Sequence, residues 1–322
     1  MSAPDLSLVI LSYNTEALLR ECLDSVFART RGCSFEVIVV DNASRDGSVA
    51  MLRRDYPQVR LVESPDNLGF GGGNNLGVEH AAGEYIVFLN SDAVLRYDTC
   101  LELVDCLRAR PDVACVGPRV VGSDGLPQMQ AWGHLPSPWR LLMQAIGGAR
   151  LRLPAFEGVD GVRRGSGEWT VGWLSGVCIA VRREQFRAVG GFDRRFFMYA
   201  EDVALCGRLR RFGRSLLLDR ADVLHYGGGS SGNRASRVRN AVWQQRHILQ
   251  VCEDEFGPGA RLLGGAAVGF GLLLRLAASL LRVPRDGIAG NLLLATTMAR
   301  LADLMGRRTI PERPVDSAAV KG

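Results

Sequence analysis

Residues 84–93 read EYIVFLNSDA. The apolar run from Tyr85 to Leu89 has no polar face, so it predicts a strand covered on both sides, as in a parallel sheet. It ends in a polar cluster, Asn90-Ser91-Asp92. The same plan occurs twice upstream: LSLVIL at 6–11 runs into Ser12-Tyr13-Asn14, and FEVIVVD at 35–41 ends in Asp41 and the cluster DNAS. Between them, Thr15 opens a helical pattern with Leu18, Leu19, Cys22, Leu23 and Val26 on one face. A helix over 47–55, a strand over 58–63, a glycine-rich loop and a helix near 74–82 lead back to the strand at 84–89. Such alternation predicts an α/β layered fold, a Rossmann-like, mostly parallel sheet flanked by helices. Ligands of open sheets of this kind sit beyond the carboxyl ends of the strands. The three polar clusters are therefore expected to line one crevice.

Downstream, the pattern predicts a helix over 97–109 and a strand near 113–121. Residues 122–168, rich in Gly, Pro and Arg, read as a long variable connection with one short helix at 138–146. A strand over 170–182, a helix over 183–189, a helix from Asp202 to Phe212 and a strand over 215–218 follow. The tail differs in kind. Residues 236–256 read as an amphipathic helix. Residues 262–274 are uncharged, followed by Arg275 and LAASLL. Thirteen residues fall short of the roughly 20 a crossing helix needs, which favours an interfacial or re-entrant helix pair. A helix buried against the preceding domain is the alternative. The expected divisions are 1–235 (halves at about 1–95 and 96–235), a helical appendage over 236–306, and a disordered tail over 307–322.

The chain has 322 residues, 47% of them apolar, enough for the core of one large domain with an appendage. A net charge of +5 is too mild to suggest nucleic acid. Lys321 is the only lysine. Genomic base composition accounts for that bias, and arginine also suits diphosphate recognition. The eight cysteines form no C-x-x-C pair and no zinc spacing, and most sit in apolar runs, as buried thiols do. Only five residues precede Leu6, so no signal peptide is expected. The expected location is a reducing cytoplasm, with peripheral contact at the inner face of the cytoplasmic membrane.

The chemistry gathers in a few side chains. Asp92, at a strand end, can hold Mg²⁺ or Mn²⁺ through oxygen while a donor diphosphate fills other positions; capping of the next turn is the alternative. Residues 196–211, FFMYAEDVALCGRLRR, place Glu201 and Asp202 at a helix start, where the dipole favours ionised carboxylates. An ionised Asp there can take a proton from an attacking hydroxyl; two adjacent acids exceed what a cap needs. The run 66–75, DNLGFGGGNN, brings Asn67, Gly71 and Asn74 to a backbone that could pass close to a sugar or diphosphate at a helix start. It is a poor dinucleotide fingerprint, because Asn74 stands at the third glycine position, although Asp92 lies where a ribose acid would. His225 could add a neutral imidazole to the metal or be a satisfied structural histidine. His80 and His247 read as structural. Together these features suggest group transfer from a phosphorylated donor to a hydroxyl.

Taken in order, SYN, VDNASRDGS, NLGFGGGNN, LNSDA, FDRRFFMYAEDVALCGRLRR and HYGGGSS resemble the family 2 glycosyltransferases of GT-A fold, over about residues 5–232. The nearest branch is rhamnosyltransferase-like, acting in bacterial cell-wall and surface-polysaccharide assembly. The resemblance implies inverting transfer from a dTDP- or UDP-linked sugar to a glycan or lipid-linked glycan, with a divalent metal. It implies that Asp41 contacts the nucleotide, joined in donor binding by Ser12, Tyr13 and Asn14. Asn90 and Asp92 match a D-x-D-like motif, with Asn90 at the ribose and Asp92 on the metal. His225 matches a position serving metal or diphosphate, Asp202 matches the catalytic base, and Glu201 beside it is the second candidate catalytic residue. Where many relatives carry a second Asp after this pair, this chain has Ala204. That departure motivates the alternative of a non-catalytic carbohydrate-binding or scaffold protein. Trp173 and Phe197, with Trp169, are candidates for stacking on the acceptor sugar, against the commoner reading of buried aromatics.

Overall fold

A computed structural model describes residues 3–128, 131–148, 159, 167–227, 234–281 and 288–306. Its elements run β1 (Leu6–Ser12), α1 (Glu16–Arg29), β2 (Phe35–Asp41), α2 (Ser48–Asp55), β3 (Arg60–Glu63), α3 (Gly69–Glu79), β4 (Tyr85–Asn90), β5 (Ala93–Leu95), α4 (Thr99–Ala109) and β6 (Val113–Val121). Then come β7 (Trp132–Gly133), α5 (Pro138–Ile146), β8 (Glu168–Val171), β9 (Trp173–Leu174), β10 (Cys178–Arg182), α6 (Arg183–Ala188), α7 (Glu201–Leu209) and β11 (Arg214–His225). Three long helices close the chain: α8 (Arg234–Phe256), α9 (Pro258–Leu281) and α10 (Ile288–Leu304). The tail over 307–322, expected to be disordered, lies outside the described residues, as does most of 149–166.

The chain divides into two compact units. The first comprises Met1–Leu135, Asp160–Phe196 and Glu201–Gly229; the second comprises Pro136–Val159, Phe197–Ala200 and Ser230–Gly322. The first unit is built on a nine-stranded mixed sheet, ordered β3-β2-β1-β4-β10-β6-β11-β5 with β8 paired to β11. β1 to β4 are mutually parallel, and β10 enters antiparallel between β4 and β6. The apolar strands predicted from their lack of a polar face are covered on both sides: every residue from Tyr85 to Leu89 is buried. Seven of the eight cysteines are buried and all are free thiols.

Three of the differences from the sequence reading have a tertiary reason. The glycine run is not a loop but the first turns of α3. Glycine disfavours helix when considered alone, but here it lets the helix lie close on the sheet. A Cβ on Gly73 would come within 2.3 Å of Leu11 Cδ1, and one on Gly71 within 2.9 Å of Phe192 Cβ. The single strand expected over 170–182 is interrupted, because β9 leaves the sheet to pair with β7 before β10 returns. The strand expected over 215–218 continues to His225 through a register shift between Leu218 and Asp222, where Arg119 binds the Asp222 carboxylate at 2.6 Å.

The second unit packs α5, α8, α9 and α10 around a small core that includes Leu141, Leu249, Cys252, Ala260 and Ala267. The segment read as a helix pair is one continuous helix, α9, running through Arg275.

Candidate active site

The parallel register sets the three polar clusters side by side. Ser12 lies opposite Asp41, and Leu11 lies opposite Asn90. The Thr15 hydroxyl donates to Ser91 Oγ at 3.0 Å and stands 3.0 Å from Ser12 Oγ, tying the β1 and β4 ends together. Ser12 is fully buried, and its hydroxyl is used in that tie. Tyr13 is exposed. Asn14 accepts from the Arg45 N–H at 2.7 Å, and its own N–H donates to Ser44 Oγ at 2.9 Å, joining the β1 and β2 loops. The buried Asp41 accepts from the Ser44 N–H through Oδ2 at 3.0 Å, while its buried Oδ1 has no protein partner. Buried acceptors are rarely left so, which singles out Asp41 among the strand-end residues.

Among the described residues, the non-glycine residues at positive φ are Asn14, Ala43, Tyr199 and Ala200. Two sit in the strand-end loops, and two immediately precede Glu201. Such conformations cost about 1–3 kcal/mol each and tend to collect at functional sites.

The glycine-run residues are arranged differently from the sequence expectation. Asn67 accepts from Asn42 Nδ2 and from the Gly69 N–H, both at 2.9 Å, so it fixes the start of α3. Asn74 is buried and donates to the Phe70 carbonyl at 3.0 Å, one turn back. Gly71 is buried against Phe192. Asn74 and Gly71 are therefore helix-packing residues, not the lining of a flexible donor loop.

β11 carries His225 to Asp92 by pairing with β5, which sets His225 opposite Ala93. His225 Nε2 lies 3.2 Å from Asp92 Oδ1, and Asn90 Nδ2 is 3.5 Å from the same nitrogen. Gln128 fixes the ring. Its Nε2 donates to the His225 carbonyl at 2.7 Å, so its Oε1 is the atom 2.8 Å from His225 Nδ1. Nδ1 must then carry a proton. In the neutral imidazole, Nε2 presents a lone pair toward a carboxylate oxygen, and two acceptors at that distance require a cation or a proton between them. An imidazole nitrogen with an orienting partner, facing a carboxylate oxygen, suits a divalent cation that takes both nitrogen and oxygen, Mn²⁺ better than the oxygen-preferring Mg²⁺. Among the described residues no group of three or more His, Cys, Asp or Glu side chains could hold a metal.

Glu201 and Asp202 open α7. The pair is split by environment. Glu201 is buried, its Oε2 lacks a partner, and burial together with the neighbouring Asp202 charge holds its carboxyl well above the usual range. Asp202 is partly exposed and accepts from the Gly176 N–H at 2.9 Å and the Val203 N–H at 2.8 Å. Burial raises Asp202 too, and these backbone bonds oppose the rise. The arrangement leaves Glu201 protonated and Asp202 as the accessible base. Because Glu201 holds its proton more tightly folded than unfolded, that contribution to stability is complete below about pH 4.5. It is lost as pH rises through the folded value. Glu201→Gln is accordingly expected to match the parent's melting temperature near pH 4 and to exceed it by several degrees at pH 8–9, as read by thermal unfolding across pH. A constant offset would contradict the buried neutral acid.

Asp92 and Asp202 are carried by adjoining segments. The Asn90 N–H donates to the Val177 carbonyl at 2.9 Å, and the preceding residue, Gly176, donates to Asp202. Both acids therefore stand at the carboxyl edge of β4. The aromatic candidates do not join them. Trp173 is buried, and Phe197 is buried against Trp243, ring centroids 5.8 Å apart in the second unit. Neither offers a face to an acceptor. Trp169 is partly exposed and stacks on Trp132 at 6.2 Å. Gln128 and the Gly176 N–H went unrecognised in sequence. Both lie in stretches without periodicity, and only their long-range partners identify them.

Comparison with known proteins places the chain among glycosyltransferases by sequence and fold. The family described as Glycosyl transferase family 2 matches residues 7–188. The N-acetylglucosaminyl-diphospho-decaprenol L-rhamnosyltransferase of Mycobacterium tuberculosis is 33% identical over 240 residues, 70% of this chain and 78% of that protein. The low-salt glycan biosynthesis hexosyltransferase Agl10 of Haloferax volcanii is 27% identical over 213 residues, 64% of this chain and 62% of that one. Among solved structures, the mannosyltransferase PcManGT of Pyrobaculum calidifontis, in complex with GDP-Man and Mn²⁺, superposes with a TM-score of 0.60 at 20% identity. That match covers 94% of this chain and 88% of the other.

Proposed function

The chain belongs to glycosyl transferase family 2 and is a glycosyltransferase of GT-A fold; we propose that it moves a sugar, rhamnose in the first instance, from a nucleoside-diphosphate donor to a hydroxyl of a lipid-linked glycan, with inversion. The observation that carries this reading is the placement of an accessible carboxylate, Asp202, and a carboxylate–imidazole pair, Asp92 and His225, on adjoining segments of one sheet edge.

Asp202 accepts the proton of the acceptor hydroxyl as that oxygen forms its bond to the anomeric carbon and the bond to the donor diphosphate breaks. A single displacement of this kind needs one base and inverts the anomeric centre, with an oxocarbenium-like transition state. The Gly176 and Val203 N–H groups hold the Asp202 carboxylate in place. Glu201, buried and neutral, takes no part in the proton transfer. Asp92 and His225 would hold the divalent cation, which supplies positive charge where the diphosphate leaves. Among the described residues these two would be its protein ligands, and diphosphate oxygens would fill other positions. Asp41 Oδ1 accepts from the nucleotide, Asn14 shapes the loop beside it, and Asn90 lies at the ribose.

Rhamnose and the lipid-linked acceptor rest on the mycobacterial relative, whose name specifies both kinds of substrate. The test is a thermal-shift panel of nucleotide-sugars with and without Mn²⁺, since a ligand that binds only the folded state raises its stability. A rise with dTDP-rhamnose that requires Mn²⁺ is expected; indifference to every nucleotide-sugar would overturn the donor assignment. Gln128 gives a further check. Gln128→Leu frees the His225 ring and is expected to weaken Mn²⁺ binding about 10- to 100-fold, the usual range for loss of an orienting partner. Titration calorimetry with Mn²⁺ and dTDP reads this without turnover.

A further inference from the structure

α7, which carries Asp202, is entered through a strained turn. Tyr199 and Ala200 stand at φ 71° and 69°, in the left-handed region that residues with a Cβ rarely enter, bulky ones least of all. Only glycine takes such a φ at no steric cost, and neither position is one. Strained residues persist where their surroundings over-determine them. Glu201 follows Ala200 directly and opens the helix, so what fixes this turn also fixes the direction in which α7 sets out.

One face of α8 supplies those surroundings. Trp243 and His247, four residues apart, lie one above the other on that helix. Trp243 takes the ring of Phe197, and both are buried. His247 Nδ1 lies 2.9 Å from the Met198 carbonyl oxygen and 3.0 Å from that of Tyr199. A carbonyl oxygen only accepts, so Nδ1 carries the proton and donates to both. Successive carbonyls point to opposite sides of an extended chain and to the same side of a helical one. A single N–H therefore reaches both only while Tyr199, the residue between them, stays out of the extended region. Relaxation of the strain toward extended backbone would swing one carbonyl away. Phe197, Met198, Tyr199, Ala200, Trp243 and His247 all belong to the second unit, and the peptide bond from Ala200 to Glu201 leads into the first.

We propose that His247 is a positioning residue for the transfer reaction: its Nδ1–H holds the strained Tyr199–Ala200 turn and, through the backbone, the first turn of α7 and the Asp202 carboxylate. The inference rests on the reading of Asp202 as the base. It adds that the base is held in place from both ends, by the Gly176 and Val203 N–H groups at its carboxylate and by the imidazole behind its helix. A catalytic group displaced by about 1 Å can lose on the order of 10²-fold in rate, so a turn free to relax is enough to slow the reaction.

The experiment compares two substitutions in the full-length protein. His247→Phe keeps a ring and has no donor; His247→Asn has no ring and keeps an amide N–H at the place of Nδ1. His247→Phe is expected to lower kcat about 10- to 100-fold, with the affinity for dTDP and Mn²⁺, read by calorimetry, unchanged within about twofold. His247→Asn is expected to stay near the parent in both. A residue that served packing alone would give the reverse order. Hydrogen exchange at the Gly176 amide, which donates to Asp202, reads the same placement without turnover. It is expected to quicken severalfold in His247→Phe and to match the parent in His247→Asn. His247→Leu, smaller and equally without a donor, takes the place of the phenylalanine variant if that one does not fold. Parental kcat and parental Gly176 exchange in a folded variant without the donor overturn the proposal, as does equal loss in the asparagine variant. A parent protein that transfers no sugar would count against the function proposed above and leave the exchange comparison to decide this inference.

Discussion

Asp202→Asn is expected to lower kcat about a thousandfold while leaving Mn²⁺-supported donor binding within about twofold, the range for removing a positioned general base being roughly 10²–10⁴. Asparagine preserves the volume and still offers one oxygen, to the Gly176 N–H, while the bond from the adjacent Val203 N–H is lost. What it cannot do is take a proton. Glu201 cannot substitute: burial, the larger cause of its raised carboxyl, persists when the Asp202 charge is gone, and its side chain stays out of reach of an acceptor. Turnover and a thermal-shift titration of the same preparation read the two halves of this expectation. Turnover near the parent level would mean that another group accepts the proton. Loss of binding in proportion to loss of turnover would make Asp202 a binding residue only.

Asp92→Ala is expected to act on both steps. It removes one of the two described side chains that would hold the cation, so Mn²⁺ affinity and donor affinity are expected to fall together, and kcat by about 10²–10³, as for loss of one electrostatic stabiliser of developing charge. The backbone is little affected, because the bond from the Tyr226 N–H ends on the Asp92 carbonyl, at 3.1 Å, which the substitution keeps. The Asp92→Ala, Asp202→Asn pair should lose less activity than the product of the single losses, because residues that serve one transition state are not additive. Mn²⁺ titration by calorimetry separates the variants: Asp202→Asn binds metal with nucleotide as the parent does, and Asp92→Ala does not.

The first hundred residues were the most legible, because strands buried on both faces leave an unbroken apolar run and each is followed by a polar cluster. The helix at 138–146 was legible from its punctuation. Ser137 Oγ accepts from the Arg140 N–H, Pro138 stands in the first turn, and Gly147 closes the helix at φ 73°. Long-range contacts hid other features. The glycines of α3 look like a loop until Leu11 and Phe192 are placed against them. The excursion of β9 depends on β7, some forty residues earlier in the chain. The hydropathy of α9 was plain, but its side chains' directions were not, since period alone does not say which face a neighbouring helix takes. Trp173 and Phe197 show the same limit: residue type suggested stacking on sugar, and packing assigned both to the interior.

The central claim is that Asp202 serves as the only base in a single displacement at the anomeric carbon. Proton NMR of the product, formed by the full-length enzyme with Mn²⁺ from a donor of known configuration, tests it most directly. A product of opposite anomeric configuration to the donor is expected; retained configuration would require a second displacement and contradict the assignment.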